Sequence, residues 1–581
     1  MNQRQKTVGF KVIARDENYP LMRAGIIKTA HGEIATPTFS PVASYGYVKA
    51  VDSQTLVAIG MQLRMTNSYL LFTRGELPAI FARGGLANYV PRDDLSTKRT
   101  TWKGPTISDS GGFQVMSDDK DPRQNGGKVG IYETQASVSE DAIAANKGRN
   151  VEVLDDGVWF NAEWNRSANQ RIFYSPERAM RSQHLLGADM FMAFDQLTNL
   201  ADGYNYNVEA VERTRKWAVK CFREHVKLTN QFSARPYQMF MPVIQGGHWR
   251  DLREKATRDM ANLRISAEDG DWEPDGFGLG GSWTFERLGE EISWATKLLP
   301  ETKPRHLLGI SDPEHVFAGI ESGSDTFDCV APTREARNGR IYTHEGSRNI
   351  RTKYFRENHD RFDSDCDCPV CSGKIREINE SGSATNDWLD YDPFTASLRF
   401  KILSELDLYF ANFEGGQIAQ IKRKKLLQGD FDESQYRENL SQKISDERAK
   451  FEKDLSENRA TPALLQLLSR SHDRELTAKY FELSSVHNLR FVLRMMEDIR
   501  TSIIENRYQE FKDEFLSHYY HGEVFREKST TMINRDSTIK NNLKKLHGQI
   551  ARIEKSLGWR HPIDRRARRL GKFATKFAKN S

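Results

Sequence analysis

The run Met239-Phe240-Met241-Pro242-Val243-Ile244-Gln245-Gly246-Gly247 decides the fold class. A short apolar stretch ends in an amide and two glycines, and a helix-like amphipathic segment follows. The same pattern recurs across residues 20–345. Phe191–Phe194 precedes Asp195, and Leu307–Ile310 precedes Ser311; Phe277–Leu279 before Gly280 and Thr326–Phe327 before Asp328 are weaker instances. Helical periodicity covers Val208–Lys227 and Phe285–Leu299. Strands alternating with helices predict an α/β chain with a parallel sheet, and the length suits a (β/α)8 TIM barrel. Chemistry in such barrels sits at the C-terminal strand ends. Asp195, Gln245, the glycines at 280 and Asp328 fall there.

At 581 residues, 38% hydrophobic and 28% charged, the chain has the size for more than one domain and the composition of a soluble protein. No apolar run approaches the ~18 residues that span a membrane. The N-terminus, MNQRQKTVGF, lacks the apolar core of a signal peptide. Three of the five cysteines lie within six residues, which suits a metal site in a reducing compartment such as the cytoplasm rather than a disulfide framework. The net charge of +5 is uneven: Lys540–Ser581 carries thirteen Lys/Arg against Glu554 and Asp564, so the rest holds about −6. A basic tail on an acidic body suggests polyanion contact; a merely solvated end is the plainer alternative.

The tight group is Cys366-Asp367-Cys368-Pro369-Val370-Cys371. Thiolates at C-x-C-x-x-C spacing converge on one centre, and zinc is the usual occupant. A fourth protein ligand closes the site and makes it structural; His359, His472 and His487 are the candidates. Two further motifs centre on carboxylates. In Ser108-Asp109-Ser110-Gly111-Gly112-Phe113-Gln114 the glycines let a ring or sugar approach the backbone, although an Asx-capped turn gives the same letters. In Phe327-Asp328-Cys329-Val330-Ala331-Pro332-Thr333-Arg334-Glu335-Ala336-Arg337 a strand-end carboxylate precedes two arginines, which suits a sugar beside phosphates. A capping Asp–Arg salt bridge is the alternative. Gly276-Phe277-Gly278-Leu279-Gly280-Gly281 matches G-x-G-x-x-G only formally, because Asp271-Trp272-Glu273-Pro274-Asp275 replaces the apolar strand a dinucleotide site needs.

Taken in order, these segments resemble the tRNA-guanine transglycosylases. The matching pieces are His31-Gly32-Glu33-Ile34-Ala35-Thr36-Pro37, Thr66-Asn67-Ser68-Tyr69, the Asp109 motif, Phe194-Asp195, Ile244-Gln245-Gly246-Gly247, Gly280-Gly281, Pro304-Arg305-His306-Leu307-Leu308-Gly309, the Asp328 motif, the cysteine cluster and His487-Asn488. The resemblance implies a (β/α)8 barrel with an appended zinc subdomain that exchanges guanine at the tRNA wobble position for a 7-deazaguanine, preQ1 or queuine. It makes Asp328 the nucleophile on the ribose and Asp109 the general acid/base. It gives the purine to Asp195, Gln245, Ser110, Gly111, Gly280 and Gly281, the ring faces to Phe113 and Leu308, and the flanking nucleotides to Arg334 and Arg337. Asn67 would orient Asp109. One structural Zn2+ would be held by Cys366, Cys368, Cys371 and His487, which outranks the other histidines. Pairing through the zinc subdomain is common in the family, so a homodimer is one assembly the resemblance allows.

The expected divisions are a barrel over 1–363 with an excursion near 117–170, a zinc-binding segment and linker over 364–389, a helical insertion over 390–478, a closing amphipathic helix over 479–520 and a basic extension over 521–581. Ser282-Trp283-Thr284-Phe285-Glu286 departs from the bacterial Leu-Ala-Val-Gly-Glu, and Leu197 replaces a small residue. The insertion and the tail have no counterpart in the family. A relative that places a deazaguanine in DNA, and a non-catalytic partner subunit, are the competing readings; the presence of both Asp109 and Asp328 argues against the second.

Overall fold

The computed structural model describes residues 5–90, 101–117, 151–161, 171–363, 365–379, 381–425 and 432–521. The basic tail, and most of the excursion expected near 117–170, lie outside the described residues.

Nine short parallel strand pieces form the centre. One sheet orders Met239–Met241, Met190–Met192, Thr106–Asp109 and Arg64–Asn67; the other orders Val243–Ile244, Phe277–Leu279, Arg305–Leu307, Thr326–Cys329 and Thr38–Pro41. All of their pairings are parallel. The alternation of apolar runs and helical segments therefore translates into an α/β fold. Only Pro242, which has no N–H to donate, separates Met239–Met241 from Val243–Ile244. At the other edge an isolated parallel bridge joins Val42 to Met65.

Helices Pro176–Leu186, Tyr204–Gln231, Arg250–Ala261, Leu288–Thr296 and Pro313–Glu321 separate consecutive strands. Their buried faces pack on strand residues such as Phe191, Phe240, Leu279, Leu307 and Phe327, all of which are solvent-free. One strand lies earlier than its apolar run indicates: Arg305–Leu307 is the strand, and Leu308–Ile310 leaves it at Gly309, whose φ of 80° ends the extended backbone. Arg305 and His306 can occupy a buried strand because most of their polar atoms are met, Arg305 Nε alone of these being left without a partner. Arg305 donates to the carbonyls of Gly323 and Leu299, and His306 bonds Thr326.

An antiparallel sheet of Gly9–Arg15, Arg23–Thr29 and Gly32–Thr36 precedes the centre. A second, of Val151–Leu154, Gly157–Asn161 and Arg171–Tyr174, is the described part of the excursion. Residues 374–388, expected as a linker, instead form the antiparallel hairpin Lys374–Ile378 with Ala384–Asp390, turned through Gly382 at φ 82°. Helices Ala396–Lys425, Glu433–Ser456 and Pro462–Leu468 follow. The division at 478–479 falls inside one continuous helix, Arg474–Ile504, which Asp473 caps through the amides of Glu475 and Leu476. This helix is not amphipathic through its middle. Glu482–Leu493 are buried without a break because Ala331–Arg337, Arg340–Thr343, Thr38–Pro41, Pro462–Leu468 and the cysteine segment pack against the helix. Among the described residues no helix is long and apolar enough to cross a membrane.

Candidate active site and metal centre

Every central strand that carries a predicted site residue delivers it at or just beyond its C-terminal end. Asn67 and Asp109 close their strands, whose register pairs the two directly. Asp328 is the third residue of Thr326–Cys329, while Gln245, Gly280 and Leu308 each follow a strand's last residue and Asp195 lies three beyond Met192. The two parallel sheets thus gather residues scattered between 67 and 328 into one crevice.

Asn67 organises one side. Its Nδ2 donates to Asp109 Oδ2 at 2.8 Å and to Gln114 Oε1 at 2.9 Å, while its Oδ1 caps the next helix by accepting from Leu70 N at 2.9 Å. Ser68 Oγ donates to the Asp109 carbonyl at 2.9 Å. Burial pushes the Asp109 carboxyl up to about 6; the backbone amides of Gly111 and Ser110 oppose the rise, and Asp328 adds to it. Gly111 has φ 89°, and a Cβ there would stand 2.1 Å from Tyr69 Cβ, so only glycine fits. Ser110 is buried, and Phe113 is 41% exposed beside it.

Asp195 lies beneath Gly112, where a Cβ would meet its carbonyl at 2.8 Å. Gln245 Nε2 donates to Asp195 Oδ2 at 2.6 Å. Burial raises the Asp195 carboxyl to about 7, with Gln245 opposing and Asp109 reinforcing the shift. Gln245 is itself buried, and its Oε1 has no partner.

Asp328 is held differently. His306 Nε2 lies 3.1 Å from its Oδ1 and Gly309 N donates to the same oxygen at 3.2 Å. The other ring nitrogen, Nδ1, is 2.8 Å from Thr326 Oγ1. His306 is a site residue that the sequence reading passed over. The signal was its position inside a matched motif, one residue before an apolar run taken to start the strand. On the helix Ala331–Arg337, Arg334 is exposed, whereas Arg337 is half-buried with Nη1 unpaired, its guanidinium lowered by burial and by Arg334.

The four predicted metal ligands also converge. Cys366, Cys368, Cys371 and His487 are all buried, with ligand atoms within 4.8 Å of one another, and no other such group occurs among the described residues. His487 Nδ1 stands 3.7, 3.3 and 3.3 Å from the three sulfurs. Its Nε2 meets the Tyr342 carbonyl at 2.7 Å, which fixes the ring with Nδ1 toward the thiols. Asn488 donates to the carbonyls of Pro332 and Arg340 and accepts from Tyr342 N, all within 3.0 Å. Arg490 clamps Asp367 bidentately at 2.9 and 2.6 Å. The cluster is therefore riveted to the segment that follows Asp328. His359 is not part of it and pairs with Asp454 at 2.5 Å; His472 is exposed.

The model of the queuine tRNA-ribosyltransferase family matches residues 19–134, 137–385 and 448–521. The chain belongs to this family. It is 28% identical over 513 residues to the queuine tRNA-ribosyltransferase of Dictyoglomus turgidum, covering 88% of this chain and 94% of that one. It is 32% identical over 373 residues to that of Halothermothrix orenii, covering 64% and 84%. Against the Bacillus subtilis enzyme it is 31% identical over 357 residues, covering 61% and 78%. As a member of the queuine tRNA-ribosyltransferase family, the chain keeps both the strand-end crevice and the Cys3His cluster within matched segments. The unmatched residues 386–447 contain the helix Ala396–Lys425 and the first part of Glu433–Ser456.

Proposed function

We propose that this chain is a tRNA-guanine transglycosylase, exchanging guanine at the anticodon wobble position for a 7-deazaguanine by double displacement. The observation that carries the reading is the grouping of three carboxyls at the C-terminal ends of parallel strands, each held differently. Asp109 and Asp195 are pushed toward neutrality by burial, whereas two donors anchor Asp328 through one oxygen. A carboxyl raised by burial suits acid/base work, and one aimed through a single oxygen presents the other for nucleophilic attack.

In the first displacement Asp328 Oδ2 attacks C1′ of the ribose. The C1′–N9 bond breaks, and Asp109 gives its proton to the departing guanine. In the second the incoming base gives its N9 proton to Asp109, N9 attacks C1′, and the ester bond to Asp328 breaks. Two inversions retain configuration, as in retaining glycosidases. His306 and Gly309 aim Asp328, and Asn67 aims Asp109. Asp195 and Gln245 grip the purine edge, with Ser110, Gly111, Gly280 and Gly281 letting the base lie against backbone. Phe113 and Leu308 sandwich the ring. Arg334 and Arg337 hold the flanking nucleotides, and an anticodon loop presents its base already unstacked.

Two structural readings accompany this one. The two parallel sheets form a single eight-stranded (β/α)8 barrel, supported by the lone Pro242 between the pieces of one strand and by the Val42–Met65 bridge. The cluster holds one structural Zn2+: tetrahedral ligands at about 2.0–2.3 Å lie roughly 3.5 Å apart, and the Nδ1–Sγ separations are 3.3–3.7 Å. The deciding experiment offers labelled guanine with total tRNA and with duplex DNA side by side. Label in tRNA supports the reading, and label in DNA alone overturns it.

A further inference from the structure

Arg253, in the helix Arg250–Ala261, is an arginine without solvent contact lying directly behind the purine side of the crevice. Its donors go to main-chain carbonyls. Nη1 donates to Gly280 O at 2.9 Å and to Ile244 O at 3.4 Å, and Nε and Nη2 donate to Gly247 O at 3.2 and 2.7 Å. One guanidinium therefore holds the carbonyls on both sides of Gln245 together with that of Gly280. The Trp283 ring lies 4.2 Å from the guanidinium carbon and covers it. Trp283 is buried, and it sits in the stretch that departs from the bacterial pattern.

Why such a clamp is needed follows from the glycines. A peptide between Gly280 and Gly281 rotates with little steric resistance, and Gly281 is at φ 130°. In a trans peptide the C=O and the following N–H point in opposite directions. Fixing the Gly280 carbonyl on Arg253 thus turns the Gly281 N–H away from the helix and toward the crevice. Gly280 N bonds Ile244 O at 3.1 Å, which fixes the preceding peptide as well. A Cβ on Gly281 would stand 2.8 Å from Arg253 Nη2, so the clamp also requires glycine there.

We propose that Arg253, capped by Trp283, is a positioning residue for base recognition, holding the Gly280–Gly281 peptide so that the Gly281 N–H donates to the purine carbonyl. The proposal rests on the reading of the crevice as a purine site. It is tested by binding of guanine and of 2-aminopurine, which lacks the carbonyl, to the full chain in the presence of substrate RNA. Wild type is expected to prefer guanine. Arg253→Lys, with one ammonium in place of a fork, should weaken guanine about tenfold and leave 2-aminopurine unchanged, collapsing the ratio. Trp283→Leu leaves the arginine in place and should move the ratio the same way by less, so the test survives if the lysine variant does not fold. A folded Trp283→Leu that keeps the wild-type ratio, or weakens both bases equally, overturns the proposal. Wild type that binds neither base overturns the purine reading itself and is distinguished by needing no variant.

Discussion

The strand-end crevice and the Cys3His cluster use buried polar groups in opposite ways. In the cluster all four ligand residues are buried and their backbone neighbours are tied down, leaving no position for a substrate. In the crevice burial raises the Asp109 and Asp195 carboxyls, the backbone is rich in glycine, and Phe113 keeps 41% of its surface uncovered. A closed set of ligands contributes folding energy; an open set with perturbed carboxyls contributes chemistry. The two are joined by Asn488, which bonds the backbone at Pro332 and Arg340, so the cluster also props the segment that leaves Asp328.

The largest expected effect separates the two regions outright. Asp328→Asn should reduce base exchange by at least about 10⁴-fold and abolish the covalent RNA adduct on denaturing gels, with melting temperature and metal content unchanged. Exchange at the wild-type rate would remove Asp328 from its role. Cys368→Ser should do the reverse, acting first on the fold. We expect loss of bound metal and destabilisation by several kcal/mol, because structural zinc sites couple binding to folding. Elemental analysis and thermal melting check it; a variant that keeps its metal and its melting temperature would contradict a closed four-ligand site.

How these regions were legible differs too. The crevice was readable because strand-end residues announce themselves: an apolar run stops, and a carboxylate, amide or glycine pair follows. His306 escaped because it lies within its strand and reaches Asp328 from the neighbouring one, whose register pairs His306 with Thr326. Nothing along one strand reports a diagonal contact with another. The helix Arg474–Ile504 reads in sequence as amphipathic, with His487 singled out as a metal ligand, and gives no sign of what Ser484, Asn488 and Arg490 bond. Each of the four has a specific buried partner, and those partners lie in segments 100 or more residues away for His487, Asn488 and part of Arg490's set. Residues 374–388 suggest a linker because the strand Ala384–Asp390 is mostly polar and, in the hairpin, mostly exposed.

A smaller effect probes the proton in the crevice. In the proposed double displacement, loss of guanine needs Asp109 protonated, and burial places its carboxyl at about 6. The single-turnover rate of adduct formation should therefore fall about tenfold per pH unit above that value. Asp109→Asn should be slow and should lose this dependence. A rate that rises between pH 6 and 8 would assign the first proton to another group.

The smallest effect concerns stability, and its sign distinguishes a functional carboxyl from a structural one. Asp195 titrates near 7 in the fold against 3.8 when unperturbed, a rise caused first by burial. A carboxyl raised on folding adds stability below its unfolded value, and that contribution is lost as pH rises through the folded one. At pH 8 the ionised side chain is therefore a cost, on the order of 4 kcal/mol at about 1.4 kcal/mol per pKa unit. Asp195→Asn removes the ionisation while retaining an oxygen for Gln245 Nε2. It should melt a few degrees above wild type at pH 8, with the gap closing toward pH 4, while base exchange falls. Equal melting temperatures at both pH values would mean that the Asp195 carboxylate is not held under stress. A carboxyl kept in a crevice at a stability cost is what the proposed contact with a purine edge would require.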